Sequence, residues 1–212
     1  MTTLYAWNTP NGQKPAVMLE ELGVPYDLVP INIERGEQTD PAFLKVNPNA
    51  KIPALTDASV SLFESGAILM HLAEKHGRFL PEGGQSRADT LAWSFWQVGG
   101  LGPMIGQWGH FLMLDEKLPT AIERYLAETL RLFTVLEGRL AASAHLGGAD
   151  YTIADMMVFP WARGGLIYLD RAAADRLPDL PHTCAWVAQI EARPAVKRAF
   201  AKLDAIADPH AA

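Results

Sequence analysis

The apolar pattern changes once along the chain, and that change restricts the fold more than any single motif does. Up to about residue 80 the apolar runs are short and keep different periods; beyond it they are long and repeat every 3.6 residues. Between them stands Pro81-Glu82-Gly83-Gly84-Gln85-Ser86, dense in chain breakers and read as a linker, residues 81–86. In the first half, Leu4-Tyr5-Ala6-Trp7 is a brief strand ending at a cluster of turn formers. Val17, Met18, Leu19 and Leu22 share one helical face, which Gly23 closes as a C-cap. Residues 25–33 alternate like a strand, with Pro30 pushing it to a sheet edge because proline cannot donate to a ladder. A short helix over 41–45, strands over 54–56 and 60–63 around a turn at Asp57-Ala58-Ser59, and a helix from Ser65 to Lys75 complete a βαβ-α-ββα order. After the linker only helices are predicted. The run 87–97 is one, with Trp93, Phe95 and Trp96 read as core, and it loosens at Gly99-Gly100-Leu101-Gly102-Pro103. The run 119–142 carries a long stripe, Thr152 caps another helix with Asp155 in capping-box position, and two more helices begin at Pro181 and Pro194. The expected architecture is therefore α/β plus all-α: a mixed domain over residues 1–80 and an all-helical one over 87–212.

Composition excludes several function classes. At 212 residues with 49% apolar residues the chain can bury a substantial core, and a formal charge of −6 opposes binding to a nucleic-acid backbone. No stretch has the length of a membrane span, and Met1-Thr2-Thr3-Leu4 lacks signal-peptide character, so a cytoplasmic protein with no membrane partner is expected. A lone cysteine, Cys184, makes no internal disulfide, redox pair or thiolate cluster, and is read as a small buried apolar residue. The six histidines are scattered without metal-ligand spacing, so no metal is expected.

Three stretches carry chemistry. In Asn8-Thr9-Pro10-Asn11-Gly12-Gln13-Lys14-Pro15, Pro10 holds Thr9 extended, and the helix N-cap is expected at Asn11 or Gly12 so that Pro15 stays in the first turn. Thr9 and Asn11 then stand where free N–H groups and the positive end of a helix dipole suit an anion or a thiolate, unless they only satisfy the turn. Ile52-Pro53 precedes a short strand. A cis bond there turns the Ile52 backbone outward toward an extended peptide, and a trans bond at a strand start fits the sequence equally. In Leu62-Phe63-Glu64-Ser65-Gly66-Ala67-Ile68, Ser65 is expected to cap the helix and offer its hydroxyl to a carboxylate, while Glu64 suits an ammonium group.

Taken together, the turn at residues 8–15, Asn49-Ala50-Lys51-Ile52-Pro53-Ala54-Leu55, the run 62–68, the linker and Thr152-Ile153-Ala154-Asp155 resemble the glutathione transferase family along essentially the whole chain. That family has a thioredoxin-like N-terminal domain and a helical-bundle C-terminal domain. Thr-Pro-Asn-Gly at 9–12, residues 95–107 and Ala-Ile-Glu-Arg-Tyr at 121–125 look most like its bacterial Nu class, which favours disulfide-bond reduction over conjugation. The resemblance implies glutathione as cosubstrate, with Thr9 and Asn11 beside its sulfur. Ile52 pairs through its backbone with the cysteinyl part on a cis Pro53, and Glu64 and Ser65 hold the γ-glutamyl end. Gln38 and Lys51 reach the glycyl or second-glutathione side, and Arg124 reaches a carboxylate from the neighbouring subunit of a homodimer. Gly106-Gln107-Trp108-Gly109-His110-Phe111 is implied to line the mouth for the second substrate.

The departures sharpen the expectation. Tyr5 lies within the first strand rather than after it, and no Ser-Pro or Cys-Pro occupies the turn, so tyrosine-, serine- and cysteine-activated subclasses fit less well. Thiol–disulfide exchange needs a thiolate, and with no cysteine in the turn the sulfur has to be glutathione's own. The expected function is glutathione-dependent disulfide-bond reduction. The alternatives are conjugation of glutathione to apolar electrophiles and a non-catalytic scaffold of the same fold.

Overall fold

The structure is a computed structural model and describes residues 1–58 and 60–207. Ser59, at the expected turn, lies outside the described residues. The chain divides into two compact units, Met1–Leu80 with the described segment from Glu191 onward, and Pro81–Ile190.

The first unit is built on a four-stranded sheet of order β2-β1-β3-β4. Strand β1 (Thr2–Ala6) runs parallel to β2 (Tyr26–Pro30), in the register Leu4↔Leu28. It runs antiparallel to β3 (Ala54–Asp57), which pairs antiparallel with β4 (Val60–Phe63). Pro30 sits at the end of the edge strand, where its missing N–H breaks no ladder. Helix α1 (Pro10–Leu22) crosses between the two parallel strands, with Ala16, Val17, Met18 and Leu19 wholly buried. A short helix α2 (Pro41–Leu44) follows, and α3 (Ser65–His76) closes the unit in the expected βαβ-α-ββα, thioredoxin-like order.

The start of α1 differs from the sequence-based expectation. Thr9, not Asn11 or Gly12, is the N-cap: held extended before Pro10, its Oγ1 accepts from the Gly12 N–H at 3.2 Å. Pro10 then takes the first-turn position, and Pro15 lies inside the helix. An interior proline ordinarily costs about 3 kcal/mol; the complete burial of the four residues after it offsets that loss. Gly12 is required here, because a Cβ would stand 2.2 Å from the Trp7 carbonyl oxygen.

The second unit contains α4 (Gly84–Trp96), α5 (Gly102–Met113), α6 (Pro119–Ala142), α7 (Ile153–Ala172) and α8 (Pro181–Glu191). Helix α4 starts inside the stretch read as linker. The expected loosening is a wide-turned segment over Gln97–Leu101 that joins α4 to α5. Gly165 brings α7 against its neighbours, since a Cβ there would come within 2.8 Å of Ile105 and 2.9 Å of Phe133.

Three expectations are corrected. Phe95 is 64% exposed, and Trp93 and Trp96 are half-buried, edge-on to each other at 5.0 Å. Helix α4 buries instead the small face of Thr90 and Ser94, whose hydroxyls bond back to the carbonyls of Ser86 and Thr90, both at 2.7 Å. Cys184 is exposed, because α8 turns Thr183, Trp186, Val187 and Ile190 inward and leaves position 184 off that stripe. Partial desolvation, with Glu137 and Asp179 nearby, raises its thiol pKa, which opposes reactivity. Finally α9 (Pro194–Ala207), read from sequence as part of the helical half, packs on α1. Arg198 and Lys202 meet Glu20 at 2.8 and 2.6 Å, and Arg193 meets Glu21 through two nitrogens.

Candidate functional site

The first unit gathers the starts of two helices through one buried side chain. Lys14, on the second turn of α1, is 1% exposed. Its Nζ donates to Asn11 Oδ1 at 3.0 Å and to Ser65 Oγ, at the start of α3, at 3.3 Å. Burial pulls its pKa down from 10.5 to about 7, against the opposing pull of Glu64. Asn11 is half-buried and Ser65 nearly fully buried. Two residues 54 positions apart, each singled out by sequence, thus share one floor. Ser65 is the first residue of α3 rather than its cap; Glu64 is the cap, exposed and in the left-handed region at φ 72°. A non-glycine residue there costs of order 1–3 kcal/mol, and such strain gathers at ligand sites.

Thr9, the cap of α1, stands two residues before Asn11. Because its oxygen accepts from Gly12 N–H, the hydroxyl proton points elsewhere. Asn8 is occupied structurally, accepting from Gln13 Nε2 at 2.9 Å and donating to Asp204 at 2.7 Å.

The Ile52–Pro53 bond is cis. The ladder between β1 and β3 ends at Tyr5↔Ala54, so Ile52 stands just beyond the paired register, its side chain packed against Ile31, Phe43 and Ala54. The loop before it is tied by Asn47, 1% exposed, whose side chain donates to the Lys51 carbonyl and accepts from Asn49 N–H at 2.9 Å. Lys51 itself is exposed. Gln38 lies in a single tight turn, Glu37–Thr39, with its Oε1 buried and without a hydrogen-bond partner among the described residues. An orphaned buried acceptor of this kind is uncommon.

The second unit holds the remaining candidates. Arg124 is exposed and lines a cleft of about 830 Å³ with Met104, Tyr125, Ala127, Glu128 and Arg131, where Glu128 and Arg131 form a two-armed pair at 2.7 and 2.8 Å. Of the stretch expected at a mouth, Gln107 and His110 are exposed and Phe111 stacks on Tyr125 at 5.5 Å. Trp108 does not fit: it is 1% exposed, because its position on α5 follows the inward stripe of Ile105 and Gly109, and its ring belongs to the interior. Among the described residues no group of His, Cys, Asp or Glu could hold a metal ion, and no helix is long and apolar enough to cross a membrane.

Lys14 and Asn47 were not singled out from sequence. For Lys14 a signal existed: it stands three residues after Asn11, on the same helical face. For Asn47 nothing in the sequence separates it from an ordinary loop asparagine.

A thioredoxin-like unit with its candidate groups at the starts of two helices, followed by a helical unit, is the layout of a glutathione-transferase-type protein. The comparisons agree. Residues 1–74 match the glutathione S-transferase N-terminal domain and residues 101–194 its C-terminal domain. The Escherichia coli K12 protein named disulfide-bond oxidoreductase YfcG is 46% identical over 210 residues, spanning 95% of each chain. A Pseudomonas fluorescens glutathione transferase family member, solved with two glutathione molecules bound, is 38% identical with TM-score 0.88, over 94% of this chain and 92% of that one. A Pseudomonas putida glutathione transferase, solved with one glutathione disulfide per subunit, is 34% identical with TM-score 0.87, over 94% and 90%. The chain belongs to the glutathione S-transferase family.

Proposed function

We propose that this protein is a glutathione-dependent disulfide-bond reductase in which the reacting sulfur is that of glutathione. The observation that carries the reading is the shared floor of Asn11, Lys14 and Ser65 beside Thr9, in a turn that holds no cysteine. The name of the relative YfcG and the glutathione or glutathione disulfide bound in the solved relatives support it.

Bound glutathione places its thiol against Thr9 and Asn11. The Thr9 hydroxyl and Asn11 amide donate to the thiolate, aided by the positive end of α1. Hydrogen bonds to a charged group contribute about 1.5–3 kcal/mol, and one pKa unit is about 1.4 kcal/mol, so each such bond lowers the thiol pKa by about one to two units. The Ile52 backbone pairs with the cysteinyl part, Glu64 takes the γ-glutamyl ammonium, and Ser65 takes its carboxylate. Gln38 and Lys51 serve the glycyl or second-glutathione side. Arg124 reaches a glutathione carboxylate of the neighbouring subunit in a homodimer, and Gln107, His110 and Phe111 face the second substrate.

The chemistry balances in two exchanges. The thiolate attacks one sulfur of the substrate disulfide, forming a mixed disulfide and expelling one substrate thiolate, which takes a proton. A second glutathione thiolate then attacks the glutathione sulfur of that mixed disulfide and releases glutathione disulfide and the second substrate thiol. Two electrons pass from two glutathiones to the substrate disulfide. The acidic net charge and the absence of a membrane-length apolar helix among the described residues suit a cytoplasmic enzyme acting on small disulfides.

The test supplies glutathione with a small dialkyl disulfide in one assay and an aryl halide in the other. The parent protein reduces the disulfide faster than it conjugates the halide. Thr9→Ala and Asn11→Ala lose disulfide reduction while remaining folded, and Cys184→Ser keeps it. Loss of reduction in Cys184→Ser moves the sulfur from glutathione to the protein and sinks the reading, as does full activity in both turn variants.

A further inference from the structure

Lys14 is a base in the interior of the best-buried helix of the first unit, where water reaches almost none of it. A lysine so placed persists only where its donors are used. An ammonium group has three donors and no acceptor, so at each of its contacts the partner has to accept. At 3.0 Å from Nζ, Asn11 therefore turns Oδ1 inward and its Nδ2 hydrogens away. At 3.3 Å, Ser65 offers a lone pair inward and directs its own hydroxyl proton elsewhere. A neutral amine accepts as well as donates and imposes neither orientation.

We propose that Lys14 is the positioning residue of the glutathione site, its buried ammonium group setting the Asn11 amide and the Ser65 hydroxyl so that both present donors to one glutathione, to its thiolate and its γ-glutamyl carboxylate. The inference rests on the reading that glutathione binds there, and Lys14 itself touches neither end of the ligand. It makes the two halves of the site interdependent: a carboxylate on Ser65 and a thiolate on Asn11 each favour the same protonated lysine.

The charges around Lys14 suit this role. From the start of α3, Glu64 favours the ammonium form. Farther along α3, His71 and Lys75 are engaged with Asp57. On α9, Arg198 and Lys202 are engaged with Glu20, and Asp204 accepts from Asn8. On β1, the Tyr5 ring lies against Phe43. Burial holds the Lys14 pKa at about 7, so part of the population is neutral at pH 7. Anionic groups arriving on Asn11 and Ser65 raise it, so ligand binding takes up a proton, and affinity falls as pH rises above 7.

The experiment is isothermal titration calorimetry of the whole chain with S-methylglutathione at pH 7, in two buffers of different ionisation enthalpy. This ligand has no thiol proton to lose, and its amine is already protonated at that pH. The parent protein takes up about half a proton per site, falling to less than about a tenth at pH 5.5. Lys14→Met binds about tenfold or more weakly without proton uptake, and glutathione bound to it ionises, followed by thiolate absorbance, at higher pH than in the parent. Equal heats in the two buffers at pH 7, with binding intact, overturn the role of Lys14 and leave the glutathione reading standing. Failure of S-methylglutathione to bind the parent removes that reading, and this inference with it. Unchanged affinity, proton uptake and thiolate titration in Lys14→Met likewise overturn it. Should Lys14→Met not fold, the two-buffer measurement on the parent decides alone.

Discussion

At the start of α7 the buried ionisable group is an acid, Asp155; beneath the starts of α1 and α3 it is a base, Lys14. Asp155 accepts from the N–H groups of Leu146 and Thr152 at 3.0 and 2.9 Å, from the Thr152 hydroxyl at 3.2 Å and from Trp186 Nε1 at 3.1 Å. Those donors come from a loop, a cap and α8, so the protein itself saturates the carboxyl and locks three segments together. Lys14 instead gives its protons to two side chains, Asn11 Oδ1 and Ser65 Oγ. An acid closed by backbone and side-chain donors of the protein makes a structural hub. A base held by a side-chain amide and a side-chain hydroxyl instead fixes how those two groups are turned.

The largest effect tests the structural side of that contrast. Asp155→Ala strands several buried donors and is expected to lower global stability by about 3–5 kcal/mol, read by denaturant unfolding. Turnover per folded molecule changes little. A stability close to the parent's would remove the distinction between hub and site.

Asn11→Ala tests the other side with the opposite signature. Disulfide reduction is expected to fall by about 10- to 100-fold, while stability changes by less than about 1.5 kcal/mol, since a half-buried amide is lost rather than a hub. A variant that melts early but turns over normally once folded would place Asn11 with Asp155 instead.

Asp57 offers an intermediate case, a buried acid wired to side chains. Lys75 at 2.5 Å, then His71 at 3.1 Å and Thr2 at 3.0 Å, outweigh its burial and hold its pKa at about 2 rather than the usual 3.8. Because the folded value is depressed, the stabilisation is complete above about pH 4 and is lost as pH falls toward 2. It amounts to about 2 kcal/mol. In Lys75→Met that acid-dependent part shrinks, which denaturant titrations at pH 6 and pH 3 detect as a smaller difference between the two.

Cys184→Ser is the smallest expected effect. The side chain is exposed and its thiol pKa is raised, so disulfide reduction stays within about twofold of the parent.

Much of this molecule is visible in its sequence because local rules and tertiary demands agree. Thr152 and Asp155 form the capping box that their spacing announces, and Pro30 lies on the edge strand where its missing donor does no harm. The readings that fail do so where two local rules compete. Keeping Pro15 in a first turn argued for a cap at Asn11 or Gly12, yet Thr9 with Pro10 makes the better start, and the burial of residues 16–19 carries the proline in the helix interior. Aromatic residues at 93, 95 and 96 looked like core, but the small Thr90 and Ser94 allow the closer approach, so the rings stay partly or largely exposed. Trp108 and Cys184 are the reverse pair, one buried and one exposed against expectation. In both, the phase of the helix relative to its neighbours decided.

By itself the sequence determined the element order, the edge strand, the change from mixed to helical structure and the residue types at three turns, because each depends on neighbours within a few positions. Only the tertiary structure decided that α9 returns to pack on α1, that Ile52–Pro53 is cis, and that Lys14 lies buried between Asn11 and Ser65. Those outcomes depend on contacts between residues tens to nearly two hundred positions apart. The desolvation that makes a buried lysine informative exists only once the sheet and the helices have closed over it.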